Sequence, residues 1–239
     1  KTQIAFYASS LQSKSSTNNY TLAVELYPAS GEAVIDMWGG NYGYFTNFLT
    51  TPGYEWTNGT DDGGMGDYAT ITDAISIGAY STKNRITDYN GNTYAYNYTI
   101  GDIAYFSSYG TAEMTPTGEF YPWISAPGAR TVAAVNHYHT SGNYNYINGQ
   151  YGARDRVNAS TTYPYGAMQG TSMSTPVAAG IVALWLQAAQ EAGVQVTNSY
   201  IKEVMQETAI RDSWVTSGPN ASHFGNGKMP SLESSISLV

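Results

Sequence analysis

The stretch Gly170-Thr171-Ser172-Met173-Ser174-Thr175-Pro176 runs without a break into ten apolar residues, 177–186, and constrains the fold more than any other part of the chain. A turn of small residues feeds a helix in which Val177, Ile181, Leu184, Trp185 and Ala188 recur at helical spacing, with apolar neighbours on the remaining faces. That pattern predicts a core helix buried nearly all round. Ser172 falls in its first turn, where free backbone N–H groups and the positive end of the helix dipole favour negative charge developing nearby. The address suits a nucleophile. A lone serine in a first turn is more often a cap, so the role rests on the whole heptapeptide and the helix behind it.

The remaining composition narrows the classes open to the chain. With 239 residues, 42% of them hydrophobic, there is enough material for a sizeable core. Charged residues are only 12% against 22 tyrosines and 25 glycines, which suits an extracellular surface of neutral polar groups, secreted or at the cell surface or periplasm. A net charge of −8 with no Lys/Arg cluster argues against nucleic acid or an anionic membrane as partner. Cysteine is absent, which removes disulfides and thiolate metal sites. The apolar run of ten residues is about half of the ~20 that span a bilayer, so no membrane segment is expected. The chain begins at Lys1 with no leader, which reads as a processed or truncated product.

Two regions are expected. Residues 1–69 alternate short β-rich runs, at 3–7, 20–27, 33–38 and 42–49, with turn signals such as Gly39-Gly40 and Pro52-Gly53, a pattern of antiparallel strands. Residues 70–239 hold the Ser172 helix and a second helix that Thr197-Asn198 can cap, with Ile201, Val204 and Met205 facing inward.

The heptapeptide closely resembles the nucleophile motif of the subtilisin-like serine proteases (subtilases), Gly-Thr-Ser-Met-Ala/Ser-x-Pro at the head of a long buried helix. Residues 70–79 resemble that family's buried strand ending in Ile-Gly-Ala. Phe106-Ser107-Ser108-Tyr109-Gly110 resembles its Phe-Ser-Ser-x-Gly turn, and residues 120–128 its strand ending in Ala-Pro-Gly. Gly225-Asn226-Gly227 resembles the turn before its last helix. The motif order is intact over residues 70–236. Residues 81–102 are longer and richer in Tyr and Asn than the family pattern, as a surface insertion would be, and 129–165 form a polar excursion. Residues 1–69 resemble part of a β-sandwich (jelly-roll) insertion carried by some bacterial members. The implied fold class is α/β: the C-terminal half of a subtilisin-like parallel-sheet core, preceded by a partial antiparallel β segment.

By this resemblance Ser172 is the nucleophile, Thr171 lies at the oxyanion hole, and the Ser172 N–H is one oxyanion donor. Met168, Gln169 and Gly170 match the segment lining the leaving-group side of the cleft, so they are candidates for substrate contact. Met173, beside the nucleophile, is an oxidation-sensitive neighbour. The family places its acid and base upstream of the serine. No Asp-Thr/Ser-Gly turn and no His-Gly-Thr helix precedes Ser172, and His137, His139 and His223 lack the motif. Asn41, in Trp38-Gly-Gly-Asn-Tyr-Gly43, lacks the context of the family's oxyanion asparagine and reads as a turn residue.

Without a base the serine is a weak nucleophile. The expectation is therefore the C-terminal portion of a secreted bacterial serine endopeptidase, acting on polypeptide and nearly inert alone, whose Asp, His and Asn come from an upstream segment or a separate chain. The alternative is a pseudoprotease or binding module that kept the scaffold. No cofactor and no metal are expected at the site. His137 and His139 lack a third ligand, and the acidic stretch 61–67 matches no defined calcium loop, although subtilases often carry structural Ca²⁺. Trp38 and Trp56 are read as packing rather than a glycan face. A half core should also leave sheet edges and a face of the Ser172 helix uncovered, open to pairing or association.

Overall fold

The computed structural model describes residues 30–32, 63–71, 73–110, 121–138 and 152–230. Two compact units are present, Lys1–Asn47 and Phe48–Val239, and all described residues except 30–32 belong to the second. The expected strands before residue 50, Trp38, Asn41, Trp56, Asp61, Asp62 and His139 lie outside the described residues.

The centre of the second unit is a parallel pair, β1 (Ile77–Ser81) and β4 (Ile124–Ala129), with Ile77 opposite Ile124 and Ala79 opposite Ala126. Parallel strands covered on both faces read as continuous small and apolar runs, and Ile-Gly-Ala-Tyr-Ser and Ile-Ser-Ala-Pro-Gly-Ala do so. On the far side of β4, Ser125 donates its N–H to Gly227 and accepts from Met229, and Lys228 exchanges both backbone bonds with Ile210. The strand expected over 70–79 is shorter and later than its motif suggests. Residues Asp67–Thr70 form a 3-10 turn, and extended pairing begins only at Ile77.

Between the parallel strands, β2 (Arg85–Thr87) and β3 (Thr93–Ala95) form an antiparallel hairpin from the insertion. Its loop is organised by Asp88, whose Oδ1 accepts from the N–H groups of Asn90 and Asn92 at 2.9 and 2.8 Å. Gly91, at φ +86°, supplies the left-handed step. After β4, strand β5 (Thr131–Ala134) leaves and β6 (Tyr165–Met168) returns antiparallel to it, with the short helix α1 (Gly152–Asp155) between. Both ends of the expected polar excursion are thus a paired β arm.

Helix α2 (Thr171–Ala192) ends in a Schellman-type cap: Gly193 is left-handed at φ 71°, and the Val194 N–H returns to the Ala189 carbonyl at 2.8 Å. Helix α3 (Asn198–Thr208) is capped as expected, since Thr197 Oγ1 accepts the Tyr200 N–H at 3.2 Å. Val204 and Met205 are buried and Ile201 is half-buried against them. Helix α4 (Ser213–Thr216) is capped by Asp212. The main core joins Ile124 and Ala126 of β4, Ala178 and Trp185 of α2, and Val204 and Met205 of α3.

One expectation fails here. Helix α2 is not buried all round: its buried residues Ser174, Ala178, Trp185 and Ala189 form one stripe, spaced four, seven and four residues apart. Ala179, Gly180 and Ala183 are exposed, and Leu184 and Leu186 are each 44% exposed. The reason is that β1, β4 and α3 pack on one side only. By length and composition α2, with mean hydropathy 1.3, could cross a bilayer. Its stripe seated on β4 and its first turn tied to β4 instead make it a helix of the α/β unit.

Candidate active site

Three backbone features deliver Ser172. Gly170 precedes α2 at φ 142°, ψ 162°, a region open in practice only to glycine. Its N–H donates to the Gly128 carbonyl at 3.0 Å, tying β6 to the end of β4. Its carbonyl accepts from Met173 and Ser174 and so begins the helix. Pro176 lacks an N–H, so the Ser172 carbonyl has no donor one turn on. The Ser174 and Thr175 hydroxyls both donate to the Thr171 carbonyl at 2.9 Å, which tightens the turn around the serine.

Small residues make this junction possible. A β-carbon on Gly128 would sit 2.6 Å from Ala79 Cβ, 2.9 Å from the Gly170 carbonyl and 3.1 Å from Ser174 Cβ. Ser174 is fully buried, while Ser172, two residues earlier, is exposed. The serine stands at a cleft of about 390 Å³ lined by Met65, Tyr68, Ile75, Ser108 and Thr171 among others. Its N–H belongs to the first turn, where no intrahelical acceptor exists. An exposed hydroxyl with a free first-turn amide beside it, at an open cleft, can attack a carbonyl and help hold the resulting oxyanion.

Gln169, expected as a substrate contact, has both ends of its carboxamide engaged. Tyr98 Oη donates to Gln169 Oε1, and Gln169 Nε2 donates to Tyr105 Oη at 3.3 Å. The Tyr98 and Tyr105 rings stack at 5.9 Å, and Tyr105 meets the Phe106 edge at 5.4 Å. Behind them Tyr96 stacks on Tyr98 at 6.1 Å, and the Arg130 guanidinium lies 3.8 Å from the Tyr96 ring centroid. Arg130 also pairs with Asp155 at 2.9 Å. Burial pushes the Tyr98 phenol up, helped by Tyr105 and opposed by Arg130, so it stays a donor. Burial likewise raises the Asp155 carboxyl, against the pull of Arg130 and Arg154. Sequence reasoning missed Tyr98 and Tyr105. The period-two tyrosines 94, 96 and 98 were the available signal.

Met168 ends β6 and is half-buried, opposite Thr131. In the turn resembling Phe-Ser-Ser-x-Gly, Ser107 Oγ accepts the Ala79 N–H at 2.9 Å. Neither His137 nor His223 is among the residues lining the cleft. His223 stacks on Tyr109 at 3.5 Å, and His137 lies against Tyr138 at 3.8 Å. Among the described residues no group of three or more His, Cys, Asp or Glu side chains could hold a metal.

Fold and site define an α/β protein that presents a serine at the head of a core helix. The chain belongs to the Subtilase family, whose profile matches residues 8–227. The match begins far upstream of residue 70, where the recognisable motifs start, so the family likeness is longer than those motifs. Among solved structures, the Clostridium perfringens CspB protease is similar at 21% identity and TM-score 0.48, over 74% of this chain and 29% of that one. The patellamide maturation protease PatA is similar at 17% identity and TM-score 0.41, over 72% of this chain and 44% of its own. The prenylagaramide maturation protease PagA is similar at 17% identity and TM-score 0.42, over 71% and 43%. The chain thus spans less than half the length of these proteins. No curated protein matches the chain significantly.

Proposed function

We propose that this chain is the nucleophile-bearing part of a secreted, bacterial, subtilisin-like serine endopeptidase. The observation that carries the proposal is Ser172, exposed at a cleft in the first turn of α2, within the family's heptapeptide. In the reaction, Ser172 Oγ adds to the carbonyl carbon of a peptide and gives its proton to a histidine. The tetrahedral oxyanion is held by the Ser172 N–H and an asparagine side chain. Collapse breaks the C–N bond, the histidine protonates the departing amine, and water hydrolyses the acyl-enzyme. Thr171 helps shape the oxyanion hole, and Met168 and the backbone of Gln169 and Gly170 border the leaving group. No cofactor takes part. A structural Ca²⁺, where present, would be remote from the chemistry.

The histidine, its aspartate and the asparagine come from a complementary segment, upstream or on a separate chain. The face of α2 that carries Ala179, Gly180, Ala183, Leu184 and Leu186, exposed among the described residues, supports such a partner, because it is apolar and continuous with the nucleophile's helix. A second reading, a binding module on a protease scaffold that has lost proteolysis, is favoured by the described histidines, which pack on Tyr109 and Tyr138.

Labelling with a fluorophosphonate probe, read by intact mass with Ser172→Ala as control, separates the two. Stoichiometric labelling of Ser172 in the complete protein supports the endopeptidase. A complete protein that carries the triad motifs and takes up no probe would establish the binding module instead.

A further inference from the structure

We propose that Tyr98, in the insertion just after its hairpin, is a positioning residue that holds the segment leading into Ser172 through Gln169. The inference rests on the reading of Ser172 as nucleophile. Its starting point is that Tyr96 and Tyr98 of the insertion do not project as surface decoration. Tyr98 is 8% exposed, 71 residues from Gln169 in sequence, and its hydroxyl is spent on the Gln169 carboxamide. The opposite end of that carboxamide is spent on Tyr105, so Gln169 is fixed from two sides. Ser172 lies three positions beyond Gln169, a reach of at most about 11 Å along the chain. In that interval the Gly170 N–H is pinned to Gly128. Side chain and backbone of consecutive residues are therefore anchored to two different parts of the fold, β4 and the tyrosines that follow the hairpin.

The strut has a rigid base. Tyr98 stacks between Tyr96 and Tyr105, and Tyr96 is covered by Arg130, which is itself held by Asp155. A nucleophile must stay within a fraction of an ångström of its productive position, and a displacement near 1 Å can cost about 100-fold in rate. The end of the insertion thus serves the loop before the nucleophile, whereas the nucleophile's own turn is set by glycine geometry.

The Tyr96 hydroxyl provides an internal control, because it is buried with no hydrogen-bond partner in the same aromatic stack. Tyr98→Phe and Tyr96→Phe each remove one hydroxyl and keep the rings. Hydrogen–deuterium exchange of the peptide covering residues 165–175 is read first, since it needs no activity. Tyr98→Phe is expected to speed exchange about fivefold, the loss of one net hydrogen bond, and Tyr96→Phe to leave it unchanged. In the complete protein, Tyr98→Phe should lower kcat about tenfold with KM within about twofold, while Tyr96→Phe behaves as wild type. Unchanged exchange in Tyr98→Phe, equal effects of both variants, or faster exchange with unaltered kcat would each overturn the proposal. A wild-type protein without turnover would sink the protease reading and the positioning role with it, while the exchange comparison would still report whether Tyr98 holds the segment.

Discussion

The Gly170 N–H donates to the Gly128 carbonyl at 3.0 Å, and a β-carbon on Gly128 would collide with that same Gly170 at 2.9 Å. The two glycines serve the junction differently: Gly128 must lack a side chain for the approach, whereas Gly170 is required for its backbone conformation. Gly128→Ala also meets Ala79 Cβ at 2.6 Å and Ser174 Cβ at 3.1 Å, both held in packed elements. Overpacking of this kind costs about 1–3 kcal/mol. Thermal unfolding should show a lowered Tm, and a wild-type Tm would mean that β4 and α2 are not in contact.

Gly170→Ala tests a different mechanism. Its β-carbon would find only ordinary contacts at 3.7 Å, but φ 142° with ψ 162° is costly for alanine. A loss of about 1–3 kcal/mol is expected in denaturant titration. Gly180, in mid-helix with nothing within 4 Å, should respond oppositely. Gly180→Ala is expected to stabilise by about 0.5–1 kcal/mol.

Trp185 is 2% exposed at the centre of the stripe by which α2 joins the core. Truncation to alanine should cost about 3–5 kcal/mol. Leu184→Ala, one residue away and 44% exposed, should cost far less. Equal losses in the two variants would show that the face assigned to solvent is covered.

That exposed face predicts association. Sedimentation of the chain by itself should reveal concentration-dependent oligomers or a co-purified partner. Replacing Leu184 and Leu186 together by Gln should shift the population to monomer. A stable wild-type monomer at every concentration would count against an uncovered α2.

Stability should fall at both ends of the pH scale, for different residues. Burial raises the Tyr80 phenol first, and the nearby Asp212 charge raises it further. Its contribution is complete below the unfolded value of about 10 and is lost as pH climbs through the higher folded one. Tyr80→Phe should therefore flatten the alkaline limb of a stability profile. At the acid end burial alone would raise Asp212, but the hydrogen bond and charge of Lys228, with the Val215 and Trp214 N–H groups, outweigh it and lower its pKa. That contribution is present above the unfolded value of about 3.9 and disappears as pH falls through the folded one. Asp212→Asn should remove part of the acid limb, and an unaltered limb would mean that the Lys228 pair does not matter to stability.

Much of the fold was legible wherever a local pattern dictates a local structure. Thr197 announces the cap of α3, and the resemblance of Ile-Gly-Ala and Ala-Pro-Gly to family strands announces the small-residue strands that meet as β1 and β4. The insertion was legible only as an insertion. That Tyr98 reaches Gln169 depends on a contact across 71 residues, which no periodicity encodes. The β5–β6 pairing was equally hidden, because an exposed arm of Thr131–Ala134 carries little alternation for a pattern to reveal.

The sequence by itself determined which serine heads a helix, where that helix starts, and that a turn of small residues stands before it, because helix starts, caps and small-residue turns are short-range chemistry. Tertiary structure alone decided how α2 is used. An apolar helix can be buried on any side, and only the positions of β1, β4 and α3 leave Leu184 and Leu186 outside while enclosing Trp185.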